Sequence, residues 1–259
     1  MSIAKLEAKT RAFVNFFAAI GTLEKFVELD EKAKAVAKQQ NIIVRFNVKD
    51  GPDGLLIFND GAISTLPFDG RKVDIHLYCN SPEKFNDVID DKAMPIPLKG
   101  IFKTLKFMGK PETPFMVLTK EMSSILRDGK RLDGTPEQEL CTKLSFYAMA
   151  AALAQIGNND RIGKLAGARI HDGEISMEIK DLEATTIIAN GGKLTTKMRK
   201  SENPRSFMIF DSIETAGQLI RGEIDAMSCL SSGKLVMKGF IPMLEDLNKI
   251  LNIVPKYLS

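Results

Sequence analysis

The 259-residue sequence contains no tryptophan, three tyrosines, two histidines and three cysteines. Without tryptophan and with so few tyrosines, it lacks the aromatic residues on which single-stranded nucleic acids stack. Its net charge of +3 is too small to indicate a dedicated nucleic-acid-binding protein. Cys79, Cys141 and Cys229 lie far apart and form no CxxC pair. We therefore expect reduced thiols packed as small hydrophobic side chains, as in the cytosol.

Sequence motifs of common enzyme classes are also missing. The chain has no G-x-S-x-G, H-E-x-x-H or G-x-G-x-x-G sequence. His76 and His171 have no neighbouring metal-type ligand, so we predict structural roles for both. Gly191-Gly192-Lys193 lacks the flanking residues of a phosphate loop and predicts a hairpin turn. These absences predict a protein that is not an enzyme and needs no metal or cofactor.

Long apolar runs are absent as well. The longest apolar stretch, residues 146–156, contains Gln155 and is too short to cross a bilayer. The N-terminal residues lack the basic region and apolar run of a signal peptide. We therefore expect a cytoplasmic protein.

Three segments of the first half recur in the second half at nearly constant spacing. Residues 81–89 resemble residues 212–220, and residues 16–19 resemble residues 146–150. Residues 104–109 resemble residues 234–239. This spacing predicts two similar halves, residues 1–130 and 131–259, with a polar boundary at residues 127–134. Chance similarity of apolar segments is the alternative. Between these matches, Asp50-Gly51 pairs best with Asp172-Gly173.

Hydrophobic periodicity predicts the same α+β order in both halves: helix, antiparallel sheet, helices, strand and helix. Residues 1–40 have helical periodicity, and from Val44 the apolar residues alternate with polar ones. Closely spaced turns between short strands favour an antiparallel meander. We expect strands at residues 44–48, 55–58, 63–66, 73–79, 105–108, 168–170, 176–179, 184–189, 193–198, 206–210 and 234–239.

This order of elements and the residues in them resemble the sterol carrier protein type 2 family, in two tandem copies. The similarity is carried by residues 44–61 and 73–89 in the first half and by residues 212–227 and 232–251 in the second. Its most specific part is the run Gly233–Gly239, although the tryptophan common in the family's early hairpin is missing. The resemblance implies two sheets of about five mainly antiparallel strands, each covered by helices. It also implies an apolar tunnel that binds sterols, fatty acids, fatty acyl-CoA or phospholipids without chemistry.

The resemblance also implies which residues line the tunnel, since the family's closing helix and the strand before it face the ligand. Ordinary core packing is the alternative, although the 12 methionines suit an adaptable lipid pocket. The implied ligand-binding residues are Phe85, Val88, Ile89, Phe102, Leu105, Phe107, Phe115, Met116, Leu118 and Met122 in the first copy, and Leu219, Ile220, Met227, Leu230, Leu235, Met237, Phe240, Met243, Leu244 and Leu247 in the second.

Basic residues indicate where polar groups of a lipid would bind. From residue type alone, Lys103, Lys106 or Lys234 would contact the polar end of the ligand. A second group surrounds the loop at residues 199–204 and predicts transient contact with an anionic membrane surface, a solvated hairpin being the alternative. This group consists of Lys193, Lys197, Arg199, Lys200 and Arg205.

The expected function is the non-catalytic binding or transfer of a fatty acid, fatty acyl-CoA or sterol-like lipid. Two alternatives stay open at this point. One is a structural or protein-interaction module, which filled cores would favour. The other is an accessory domain of lipid-thioester metabolism, which would need polar groups converging on a cavity.

Overall fold

A computed structural model describes residues 3–128 and 135–258. The chain divides into two compact units, Met1–Ser124 and Ile125–Ser259. The predicted border between residues 130 and 131 lies outside the described residues. Within the described ranges, no helix is both long and apolar enough to cross a membrane.

The first unit begins with a helical segment that is followed by four strands. Asp30 and Ser81 begin two of the helices by accepting hydrogen bonds from the backbone N–H groups of Ala33 and Lys84. The elements are α1 (Ile3–Val14), a π-helix (Asn15–Ile20), α2 (Leu23–Leu29), α3 (Glu31–Ala37), β1 (Ile42–Val48), β2 (Asp53–Asn59), β3 (Ala62–Pro67), β4 (Ile75–Cys79), α4 (Pro82–Ile89), β5 (Ile96–Lys99), α5 (Ile101–Met108) and α6 (Pro114–Asp128), whose last turn belongs to the second unit.

The second unit repeats this plan with one long leading helix. Thr135 caps that helix by accepting a hydrogen bond from the Gln138 N–H, as its Thr-Pro sequence predicts. The elements are α7 (Pro136–Asn159), α8 (Arg161–Gly167), β6 (Gly173–Ile179), β7 (Glu183–Asn190), β8 (Lys193–Lys197), β9 (Ser206–Phe210), α9 (Ile213–Ile220), α10 (Ala226–Ser231), β10 (Leu235–Gly239), α11 (Ile241–Leu251) and α12 (Pro255–Leu258).

Each unit contains a mixed five-stranded sheet. The strand orders are β3-β2-β1-β4-β5 and β10-β9-β6-β7-β8, which are the same order read from opposite ends. β1 pairs with β4 and β6 pairs with β9 in parallel, whereas the other pairings are antiparallel. The predicted meander is therefore correct only through the third strand. A parallel pairing needs a crossover connection, and here the hairpin of the second and third strands supplies it.

The two sheets also share their register. Val44 lies opposite Ile75 in the first parallel pairing, and Ile175 lies opposite Ser206 in the second, 131 residues further along in each strand. Asp50 has its turn counterpart at the same spacing, because Asp181 adopts a left-handed φ of 59° where Asp50 has 60°. Pairing Asp50 with Asp172 was therefore wrong.

The predicted strand at residues 105–108 is wrong, because these residues belong to α5. Thr104 and Phe107 are the buried positions, and their spacing of three residues is helical rather than alternating. Gly100 has a φ of +77° and begins this helix directly after β5. β5, which Gly100 follows, is thus the counterpart of β10, which ends at Gly239, so matching residues 104–109 with 234–239 was wrong too. The strand predicted at residues 168–170 is instead a turn after α8.

Candidate functional site

Phenylalanine rings fill the helix-covered face of the first sheet. Phe16 from the π-helix, Phe46 from β1 and Phe85 from α4 have ring centroids 5.5 to 6.4 Å apart. All three are buried. Gly54 lies opposite Phe46 on β2, and a side chain there would collide with the ring of Phe16. The glycine therefore makes room for the chain's own aromatic ring in this part of the interior.

A second aromatic group continues this face toward α5 and α6. The ring of Phe107 lies 6.0 Å from that of Phe58 on β2 and stacks on Phe115 at 4.6 Å. Phe107 is fully buried and Phe115 nearly so. Phe107 and Phe115, both predicted to bind the ligand, thus contact each other, and Phe107 also contacts Phe58 of β2.

On the corresponding face of the second sheet, Met177 stands at the position of Phe46, 131 residues earlier, and the buried rings of Phe146 and Phe210 lie 6.4 Å apart. Met208 on β9 lies opposite Met177 on β6 and opposite Met237 on β10. Met243 of α11 accepts a long hydrogen bond at its sulfur from the Ser206 hydroxyl, 3.7 Å away. Met177, Met208 and Met243 are buried, whereas Met237, on the edge strand, is half-buried. We call Met177, Met208 and Met237 the methionine row; it runs from the core to the β10 edge of the sheet.

Apolar side chains of the two helices that precede β10 reach the surface. Leu219 and Ile220 at the end of α9 and Leu230 in α10 are half-buried, and Met227 in α10 is 74% exposed. The predicted ligand-binding residues of the second unit therefore range from fully buried to exposed.

The 20 predicted ligand-binding residues fall into three groups by exposure. The buried ones are Phe85, Val88, Phe107, Phe115, Leu118, Met122, Leu235, Met243, Leu244 and Leu247. The half-buried ones are Ile89, Met116, Leu219, Ile220, Leu230, Met237 and Phe240. The exposed ones are Phe102, Leu105 and Met227.

Sequence reasoning missed the strand residues of these interiors. Phe46, Phe58, Met177 and Met208 come from the central strands, while the family analogy pointed to helices and the last strand. The alternation of Ile175, Met177 and Ile179 was the signal that could have found them.

A cleft of about 410 Å³ lies between the start of α7 and α9. It is not the predicted tunnel, because charged and polar side chains form much of its wall and no predicted ligand-binding residue lines it. Its lining residues are Thr135, Pro136, Gln138, Glu139, Thr142, Ile213, Glu214, Gln218, Arg221 and Glu223.

The surroundings of three titratable side chains near the sheets can be described individually. Burial and the charge of Arg45 lower the pKa of His76, whose Nε2 has no hydrogen-bond partner among the described residues. Burial raises the pKa of Cys79 to about 11, so its thiol is protonated at neutral pH. His171 packs edge-on against the ring of Phe240. In the described ranges, no cluster of three His, Cys, Asp or Glu side chains could hold a metal ion.

Several of the basic residues singled out from the sequence already have partners. Lys200 pairs with Glu178 at 2.8 Å, and Arg205 donates to the Asp172 carbonyl at 2.6 Å. Lys103 pairs with Asp74 at 2.6 Å. Lys106 and Lys234 are exposed.

Comparison with known proteins gives matches only among solved structures. No protein-family model and no curated protein matches the sequence. The chain is similar to a UbiJ-SCP2 ubiquinone synthesis protein, with 13% identity and a TM-score of 0.34 over 46% of this chain and 99% of that chain. It is also similar to the sterol carrier protein domain 2 of Helicoverpa armigera, with 18% identity and a TM-score of 0.35 over 48% and 95%. A third match is the inverting sec-alkylsulfatase Pisa1 from Pseudomonas sp., with 11% identity and a TM-score of 0.27 over 56% and 31%.

Proposed function

We propose that this chain consists of two sterol-carrier-like units and binds a fatty acid, fatty acyl-CoA or sterol-like lipid without changing it chemically. The observation that carries the proposal is the methionine row, which joins the buried face of the second sheet to a half-open apolar edge. Methionine is flexible and polarizable, so it can repack around lipids of different shape. Each buried CH₂ group of the ligand contributes about 0.8 kcal/mol, so a long acyl chain needs few polar contacts.

The second unit is the binding unit in this proposal, and the first unit has a structural role. Met177 and Met208 in the second sheet, at the positions of Phe46 and Leu77 in the first, support this assignment. Rings such as Phe46 and Phe85 occupy the first interior and have few rotamers with which to make room. A structural or protein-interaction role, the alternative function, is thus favoured for the first unit.

The chemistry of the same face supports binding without catalysis. Ser206 lies on it, but its hydroxyl donates to the Phe240 carbonyl at 2.9 Å and contacts the sulfur of Met243. An accessory role in lipid-thioester metabolism would need acid, base and nucleophile side chains directed at the ligand. We therefore propose a cytoplasmic, non-enzymatic lipid-binding protein without a cofactor.

We also propose contact with an anionic membrane around the β8–β9 loop, but through three of the five predicted basic residues. Lys193, Lys197 and Arg199 are exposed, whereas Lys200 and Arg205 are engaged within the unit. Three exposed cations would each contribute up to about 1 kcal/mol near such a surface.

The test compares two neighbouring residues on β10 that lie on opposite faces of the strand. Met237→Glu introduces a charge into the methionine row, and Val236→Glu introduces the same charge on the other face, where Val236 is 43% exposed. Titration of the full chain with a fluorescent fatty acid should show affinity lowered about ten-fold or more by Met237→Glu, because a carboxylate beside an acyl chain is costly to desolvate. Val236→Glu should leave the affinity within about two-fold of wild type, as expected for a surface change.

Lipid extraction and native mass spectrometry of protein purified from its own source provide an independent measurement. A wild-type chain that is ligand-free and binds no fluorescent fatty acid would overturn the proposal. Unchanged affinity in the Met237→Glu variant would place the ligand elsewhere, and equal loss in both variants would show that the charge disturbs β10 in general.

A further inference from the structure

The segment from Lys92 to Lys110 exposes an unusual amount of apolar surface. Phe102 is 83% exposed, and five further large apolar side chains in the segment are more than half exposed. We call these six residues the β5–α5 face. They are Met94, Ile96, Leu98, Ile101, Phe102 and Leu105. Ile101, Phe102 and Leu105 are neighbours on α5, and contiguous exposed apolar surface of this kind marks an interaction site.

The helix α5 separates its side chains into three sectors. At about 100° per residue, Ile101, Phe102 and Leu105 share one exposed arc. Thr104 and Phe107 lie on the buried side of the helix. The third sector, next to the exposed apolar arc, carries Lys103 and Lys106. An exposed apolar stripe bordered by lysines is the pattern of a helix that lies in a membrane interface.

All charges in this segment have one sign. Residues 92–111 contain five lysines and no aspartate or glutamate. Lys92, Lys99 and Lys103 contact Asp90, the Val73 carbonyl and Asp74. In the part of the chain that the structure describes, no ion pair involves the other two lysines, Lys106 and Lys110, and both are exposed.

The composition favours a lipid surface over a protein partner. Protein–protein interfaces are depleted of lysine, whereas interfacial helices combine lysine with phenylalanine and leucine. Pro97 and Lys99 in β5 also oppose pairing of this edge strand with a strand of a second copy. We propose that the β5–α5 face docks on an anionic membrane, with Phe102 and Leu105 inserted at the acyl boundary and Lys106 and Lys110 at the lipid phosphates.

This docking site is separate from the ligand site proposed on the second sheet and from the β8–β9 loop. It does not depend on ligand binding, and sedimentation of the full chain with vesicles reports docking alone. The vesicles are phosphatidylcholine, with and without phosphatidylglycerol, at low and high salt. Wild type should sediment with the anionic vesicles, and salt should weaken that binding because it screens the lysines.

Two double variants test the two parts of the face. Phe102→Ser with Leu105→Ser should lower binding about ten-fold or more on every vesicle that wild type binds, because inserted apolar area is lost. Lys106→Gln with Lys110→Gln should lower binding about five-fold per lysine on anionic vesicles and not on neutral ones. All four side chains are exposed, so circular dichroism and thermal unfolding should match wild type.

Matched control variants distinguish binding through this face from nonspecific binding by other exposed apolar or basic residues. Leu182→Ser removes another exposed leucine, which lies between Asp181 and Glu183, and should have no effect. Lys32→Gln with Lys49→Gln removes the same charge elsewhere in the first unit and should lower anionic binding much less. Replacing the exposed Lys193 and Lys197 of β8 by glutamine tests the basic group around the β8–β9 loop.

Three outcomes would overturn the proposal. One is a wild type that binds no vesicles. Another is unchanged vesicle binding by the Phe102→Ser, Leu105→Ser variant together with loss of vesicle binding by the Lys193, Lys197 variant. That result would assign docking to the basic group around the β8–β9 loop. The third is concentration-dependent self-association that the serine variant abolishes, which would show that a second copy covers the face.

Discussion

Met177 and Met208 lie directly opposite each other in the parallel pairing of β6 with β9, and Met237 extends the row onto β10. Replacing all three by leucine conserves apolar volume and should cost less than about 1.5 kcal/mol per site. Leucine is branched and has fewer rotamers, so the triple variant should discriminate more strongly between bent unsaturated and straight saturated fatty acids. Displacement of a fluorescent fatty acid measures that ratio. The exposed Met94→Leu is the control, and an unchanged ratio in the triple variant would mean that the row does not contact the ligand.

Phe85 and Phe102 are both predicted ligand-binding residues, yet their surroundings are opposite. Phe85 is fully buried against Phe16 and Phe46, so Phe85→Ala should lower the free energy of unfolding of the first unit by about 3–5 kcal/mol. Phe102→Ala should change it by no more than about 0.5 kcal/mol, because the ring is exposed. Urea unfolding followed by circular dichroism measures both. Comparable losses in the two variants would contradict the filled aromatic interior.

Local patterns in the sequence predicted most helices and strands. They did not predict which of these elements lie next to each other in the fold. Alternation at Val44, Phe46 and Val48 predicted β1. No local pattern in the sequence indicates that the fourth strand pairs with the first strand and not with the third. The mixed sheet therefore could not be predicted from turn spacing.

The candidate site was harder to predict for a related reason. Apolar spacing shows which residues avoid water, and it does not show whether a side chain or a ligand covers them. Phe102 and Phe107 share one short helix, but the first is 83% exposed and the second is fully buried. Phe107 is buried because it packs against Phe58 and Phe115, which come from other elements of the chain.

The left-handed glycine between β5 and α5 gives a test of the corrected boundary. Gly100 has a φ of +77°, and a Cβ there would lie 2.5 Å from the Asp74 carbonyl oxygen. Gly70 has a similar φ of +88° with open space around it. Both Gly100→Ala and Gly70→Ala should lower the free energy of unfolding by about 1–2 kcal/mol, because alanine is strained at a positive φ. Gly100→Ala should lower it by at least about 1 kcal/mol more, because its Cβ collides with the Asp74 carbonyl oxygen. Thermal unfolding of the two variants measures the difference, and equal losses would contradict the close approach of α5 to the Asp74 backbone.

Tyr257 and Asp160, 97 residues apart, connect the C-terminal helix α12 to the start of α8. The Tyr257 hydroxyl donates to the Asp160 carboxylate at 2.7 Å, and the carboxylate also accepts the N–H groups of Ile162 and Gly163. Burial opposes ionisation of Asp160, but these hydrogen bonds outweigh it and hold the pKa below its ordinary value of 3.8. The unfolded state therefore binds the proton more readily, so this contribution to stability is complete above about pH 4 and is lost as the pH falls through the lower folded pKa.

Tyr257→Phe removes one of these hydrogen bonds without changing the ring. It should lower the free energy of unfolding at pH 7 by about 1.5–3 kcal/mol, the range for a hydrogen bond to a charged group. It should also raise the folded pKa of Asp160 and thereby reduce the loss of stability below pH 4. Chemical unfolding at pH 7 and pH 3 measures both effects. Tyr78→Phe is the matched control, since the Tyr78 hydroxyl forms no hydrogen bond within the described residues. A Tyr257 variant that loses as much stability as wild type between the two pH values would show that this hydrogen bond does not set the acid response.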